Sequence, residues 1–183
     1  MISVVDNFLP EKEFIELQEY CNTNEFQIIS PPGITLSVLE IPGHLYKYLE
    51  VDGYEIILSL IRSAYKGFND NMNIHADNII QESKTSIATV LYINDEEGVT
   101  DNGTAFWKHN TYGYSIPLDC SPEDFNNMID VDAKDLSKWV MKDYISSRPN
   151  RILMYDADYF HSKYPAEITD GIRKILVTFY KKI

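Results

Sequence analysis

The sequence predicts an α+β domain that is mainly β, with helices packed on one face of a β-sandwich or barrel. Two observations carry this. Helical spacing of apolar residues is confined to the first third of the chain and one later interruption, and most of the rest is short β-rich runs separated by turn residues. The length of 183 residues suits a single domain, 1–183, with a proper core.

In chain order, "ISVVDNF" reads as a short strand. "LPEKEFIELQEYCN" reads as a helix with Pro10 near its start, acids in its first turn, and Phe14, Leu17 and Cys21 on one stripe. A "PPG" loop at 31–33 precedes a strand, "ITLSVLEI". "VDGYEIILSLIRSAYKGF" gives a second amphipathic helix, burying Ile57, Leu60, Ile61, Ala64 and Tyr65 and ending at Gly67. The period then changes: "NMNIHADNII", "KTSIATVLYIN", "GTAFWKHN", "NRILMYD" and "IRKILVTFYKK" are strands. Between them "SPEDFNNMI" starts a helix, with Ser121 as N-cap, Pro122 at N1 and Asp124 in a capping-box-like place, and "AKDLSKWVMKDYI" follows as another.

Bulk composition narrows the function. The formal charge of −12, without any cluster of Lys and Arg, argues against a nucleic-acid backbone as partner. No apolar run is long enough to span a bilayer, and the opening residues carry acid where a signal peptide carries base, so the expectation is a cytoplasmic protein with no membrane partner. Cys21 and Cys120 are too far apart for a CxxC motif and read as free thiols of a reducing compartment, which also favours ferrous iron.

Of four histidines, His44, His75, His109 and His161, only His75 has a carboxylate two positions on. On a strand, His75 and Asp77 share a face with Cα atoms ~6.6 Å apart. His161 lies in a late β segment that can cross the sandwich to meet them. Two His and one carboxylate leave one side of a metal open, as in non-haem Fe(II) sites. Alone, an HxD pair is equally an exposed polar pair. Arg173 adds weight: it shares a strand face with Ile175, Val177 and Phe179, where an arginine is costly unless an anion pairs with it. A dicarboxylate would supply that anion in bidentate geometry.

These residues resemble the 2-oxoglutarate/Fe(II)-dependent oxygenases, in their prolyl-hydroxylase-like branch. "HADN" resembles the HxD strand, "LYIND" the strand whose tyrosine meets the cosubstrate, "NGTAFW" a Gly-rich turn and strand, and "NRILMYDADYFHSKYPAEITDGIRKILVTFYKK" the closing segment. The entry "VVDNFLPEKEF" is similar too, as is the wording of bacterial and phage members. Asn102-Gly103 stands where relatives have two glycines, and residues 108–150 replace a shorter connection. That segment is expected to cover the active-site mouth as a lid, so the substrate of the prolyl hydroxylases does not transfer.

The resemblance implies a double-stranded β-helix, or jelly roll, with the N-terminal helices on one sheet. It implies Fe(II) held by His75, Asp77 and His161, and 2-oxoglutarate held at its distal carboxylate by Tyr92 and Arg173. Dioxygen is the co-reactant, succinate and CO2 the co-products, and ascorbate an accessory that the family allows. Related halogenases have Gly or Ala in place of Asp77, so hydroxylation is implied, on an amino-acid residue, a free amino acid or a small metabolite, presented as a small molecule or as a peptide or protein. Two other functions stay open: a non-catalytic jelly roll that binds metal or ligand, and oxidation of nucleic-acid bases, which the charge disfavours.

Several residues have structural readings that compete with functional ones. His109 faces either the cavity or a loop; Tyr112, Tyr114 and Trp139 line a pocket or form a local core. Asn73 touches substrate or merely ends a strand, "NDEEGVTDNG" is a solvated loop or an attractor of basic substrate, and Arg151 makes a structural ion pair.

Overall fold

The computed structural model describes residues 1–68, 70–94 and 102–183. Its elements are β1 (Ile2–Val5), α1 (Glu11–Thr23), β2 (Gln27–Ile29), β3 (Leu36–Leu39), a one-turn α2 (Tyr46–Leu49), β4 (Tyr54–Tyr65), β5 (Ile79–Ile80), β6 (Ser83–Lys84), β7 (Ile87–Tyr92), β8 (Gly103–His109), α3 (Pro122–Asn126), β9 (Trp139–Ser146), β10 (Ile152–Asp156), β11 (His161–Tyr164) and β12 (Ile172–Lys182). A seven-stranded antiparallel sheet runs β1-β10-β7-β12-β4-β3-β2, and a three-stranded sheet runs β11-β8-β9. The two face each other as a double-stranded β-helix.

Alternation along the central strands builds the layers. Val90, Tyr92, Leu153, Tyr155, Ile175, Val177 and Phe179 point inward and meet Phe106 of the small sheet. Leu91, Ile152 and Leu176 point the other way and bury Phe14, Leu17 and Cys21 of α1. The predicted stripe of α1 is therefore its buried face, and each such large side chain contributes ~1.5–3 kcal/mol by leaving water. A third core lies on the outer face of the small sheet, where Ala105, Trp107 and Trp139 pack on Met128 and Ala133 from the turns after α3. Segment 108–150 supplies much of that outer core.

Three expectations fail. Residues 51–68 hold a twelve-residue strand, β4, in place of a helix. It is covered on both faces, Ile61 by the α1 side and Leu58 and Leu60 by the barrel interior, so its apolar run has no clean alternation to read. Residues 133–145 form short helical turns and then β9. There Asp135 caps only one turn, accepting from the Ser137 N–H at 3.0 Å, before the chain extends to pair with β8. "NIHADN" is irregular, with His75 in an isolated bridge and regular pairing only from Ile79. The cap at Ser121 is as expected: its side chain accepts from the Asp124 N–H at 3.1 Å. Among the described residues no helix is long and apolar enough to cross a membrane.

Candidate metal centre and its cavity

The HxD segment reaches its place by backbone bonds to a strand start. His75 N–H donates to the His161 carbonyl at 3.0 Å, the reverse bond is 2.8 Å, and Asp77 N–H donates to Ala157 O at 2.7 Å. His161 opens β11, opposite Phe106 of β8. One ligand atom from each of His75, Asp77 and His161 lies within 4.8 Å of the others. His161 Nε2 is 3.1 Å and His75 Nε2 3.6 Å from the Asp77 carboxylate.

Both imidazoles are oriented from behind. His75 Nδ1 sits 2.8 Å from the Asn73 carbonyl and His161 Nδ1 2.9 Å from that of Tyr159. A carbonyl only accepts, so each Nδ1 carries a proton and each Nε2 is the nitrogen that faces the cavity, the arrangement of metal-binding histidines. Tyr155 of β10 places its hydroxyl 3.1 Å from Asp77 Oδ2 and 3.0 Å from His161 Nε2. Its single proton serves one of them at a time.

The protonation states suit a divalent cation. Burial, then the neighbouring His161 ring, drives His75 down to about 4. Burial alone would raise the Asp77 carboxyl, but the charge and hydrogen bond of His161, with His75 and Tyr155, outweigh it and hold Asp77 at about 2. At neutral pH His75 is neutral and Asp77 ionised, so neither must lose a proton to coordinate.

Arg173 lines the same cavity and is 7% exposed. Its Nε donates to Asn102 Oδ1 at 2.8 Å, and its guanidinium lies 5.8 Å from the centre of the Tyr92 ring. Among the described residues no carboxylate lies within ion-pair distance of it. Tyr92 is fully buried with its hydroxyl 2.8 Å from Thr104 Oγ1; it supports Arg173 from behind and does not itself line the cavity.

The sequence reading missed four titratable lining residues: Tyr155, Arg62, Asp70 and Lys163. Arg62 pairs in register with Ile175 across β4 and β12, which puts it on the inward face beside Arg173. Once β4 is a strand, the argument that singled out Arg173 also singles out Arg62. Asp70 is 4% exposed, with Lys163 Nζ at 2.5 Å and Arg62 Nη2 at 3.8 Å.

Other candidates have structural roles. His109 is buried in the outer core, 3.1 Å from Asp132 Oδ2, stacked on Tyr112 and against the edge of Trp139. His44 faces Glu13 at 3.4 Å, and Arg151 pairs with Asp6 at 2.6 Å. Asn73 contributes its carbonyl to His75, and Tyr114 is half exposed. In "NDEEGVTDNG", residues 95–101 lie outside the described residues.

No family model matches the chain, and no curated protein matches it in sequence. Solved structures do match in fold. HygX from Streptomyces hygroscopicus, with nickel and 2-oxoglutarate bound, superposes with a TM-score of 0.61 at 11% identity, over 99% of this chain and 82% of that one. The non-heme alpha ketoglutarate dependent carbocyclase SnoK from nogalamycin biosynthesis gives 0.62 at 11% identity, over 98% and 78%. A Pseudomonas putida prolyl-4-hydroxylase gives 0.57 at 11% identity, over 100% and 92%. The fold is that of the 2-oxoglutarate oxygenases.

Proposed function

We propose that the chain is a non-haem Fe(II), 2-oxoglutarate-dependent dioxygenase that hydroxylates a C–H bond of an amino-acid residue, a free amino acid or a small metabolite. The observation that carries the reading is the convergence of His75, Asp77 and His161 in a cavity whose wall holds a buried arginine that has no carboxylate partner among the described residues. The three would hold Fe(II), and Arg173, with Tyr92 behind it, the distal carboxylate of 2-oxoglutarate. Bound iron and cosubstrate supply dioxygen activation coupled to oxidative decarboxylation to succinate and CO2.

The chain's own residues position and shield. The Asn73 and Tyr159 carbonyls fix both imidazole tautomers. Asn102 holds the Arg173 fork, and the apolar side chains of Val90, Ile175, Val177 and Phe179 keep water from the cavity wall. A dianion entering a protein of charge −12 needs this local compensation. HygX with 2-oxoglutarate and hygromycin B bound supports the same kind of chemistry on a small molecule. On this reading residues 1–183 are one oxygenase domain; the expected lid, 108–150, packs on the outer face of the small sheet and contributes no residue to the described lining of the metal cavity.

Anaerobic addition of Fe(II) and 2-oxoglutarate should produce a weak visible charge-transfer band, and air should then release succinate. Folded, iron-loaded protein that gives neither is the non-catalytic jelly roll instead.

A further inference from the structure

The cavity holds more positive charge than the metal and cosubstrate use. Its described lining carries Arg62, Lys163 and Arg173 against Asp70 and Asp77, one cation in excess. On the reading above, Fe(II) and the 2-oxoglutarate dianion cancel each other, and Arg173 is taken. The excess therefore stays with Arg62, Asp70 and Lys163, where one carboxylate serves two cations. Arg62 Nε is buried and has no hydrogen-bond partner among the described residues. The Nη2 end of the same guanidinium meets Asp70 and Met72 Sδ, so Arg62 is held at one end and under-satisfied at the other, as a residue that awaits a further acceptor would be.

The position of this group matters as much as its charge. Asp70, Met72 and Lys163 line the metal cavity and also a second, wider pocket of about 550 Å³ that continues outward past Phe68, Asn73 and Ile168. That volume falls within the roughly 300–1,000 Å³ of small-molecule sites. Anything reaching the metal from there passes the Asp70–Lys163 pair with Arg62 behind it. We infer that Arg62 and Lys163 receive a carboxylate of the substrate, and that the enzyme acts on a small free acid, of the amino-acid or hydroxy-acid class, and not on a residue inside a peptide. The guanidinium edge offers bidentate geometry to that carboxylate, and Asp70 holds both cations in place until it arrives.

This inference rests on the proposed oxygenase reading, and one experiment separates the two. Protein loaded anaerobically with Fe(II) and 2-oxoglutarate is titrated with the twenty amino acids, their 2-hydroxy analogues and the carboxamide of each, following the charge-transfer band and, in air, succinate. At least one free acid should shift the band and raise succinate release tenfold or more, its carboxamide should not, and Arg62→Met should cut that response at least tenfold more than it weakens 2-oxoglutarate binding. Arg62→Lys, keeping the charge, should restore part of it, which a folding defect would not. A carboxamide as effective as its acid, no response to any acid, or an Arg62→Met defect confined to 2-oxoglutarate binding would overturn the inference while leaving the oxygenase reading intact. Absence of the charge-transfer band in the parent protein would overturn both.

Discussion

His75 and His161 are 86 positions apart in the chain and exchange backbone hydrogen bonds of 3.0 and 2.8 Å as a two-residue antiparallel bridge, with their rings 4.4 Å apart. The geometry of the proposed metal ligands is thus set by main chain, and side-chain substitutions at the centre should remove metal without removing the fold. Asp77→Ala should weaken Co(II) or Ni(II) binding by about 100-fold or more and leave the metal-free protein cooperatively folded, read by titration calorimetry and by thermal melts. Wild-type metal affinity in that variant would exclude Asp77 as a ligand.

Arg173 was legible from the alternation of its own strand. Arg173 stands out because it alternates with Ile175, Val177 and Phe179, and that face is the one found. His161 was picked out only by its place in a late β segment. Arg62 was hidden because β4 is buried on both faces, and an apolar run of that kind carries no period that separates strand from helix. Asp70 and Lys163 were hidden because their pairing joins residues 93 positions apart, which no local pattern records. The HxD pair was placed on the wrong support, since a bridge and one bond to Ala157 do the work assigned to a strand.

Arg173 should be a residue that binding needs and folding does not. A buried guanidinium whose described partners are Asn102, Gly103 O and an aromatic face bears a desolvation penalty without a counter-charge. Arg173→Met should raise the melting temperature of the ligand-free protein. It should also weaken 2-oxoglutarate at least about 30-fold, the low end for truncating one partner of a buried charge pair. A lower melting temperature with unchanged cosubstrate affinity would make Arg173 structural.

Acid should destabilise the metal-free protein from about pH 6.5 downward. The His75 value of about 4 lies below its ordinary 6.5, so between these the unfolded chain takes up a proton that the native state refuses, and stability falls as pH drops through that window. Asp77, at about 2 against 3.8, extends the loss in the same direction below pH 3.8. Urea midpoints between pH 7 and 4.5 should decline, and His75→Asn, which cannot titrate, should decline less. Parallel curves for the two proteins would remove His75 from the account.

Gly103 ties the strand pairing of the small sheet to the Arg173 end of the cavity. A Cβ there would lie 2.2 Å from the Ile145 carbonyl oxygen and 2.8 Å from the Tyr144 ring. The carbonyl belongs to β9, in register with β8 at Thr104↔Ile145, so it cannot give way without opening the ladder. Asn102, next in the chain, holds Arg173 Nε, and the Gly103 carbonyl itself lies 3.5 Å from Arg173 Nη2. Gly103→Ala should therefore cost about 1–3 kcal/mol by overpacking, a drop of roughly 2–12 °C for a chain of this size. It should also weaken 2-oxoglutarate binding more than metal binding, because the displaced turn carries the support of Arg173 and none of the three metal-facing side chains. Calorimetric melts and separate titrations of metal and cosubstrate check both parts. Equal losses for the two ligands would mean that the strain spreads through the whole barrel and that the Asn102–Arg173 contact carries no special share of it.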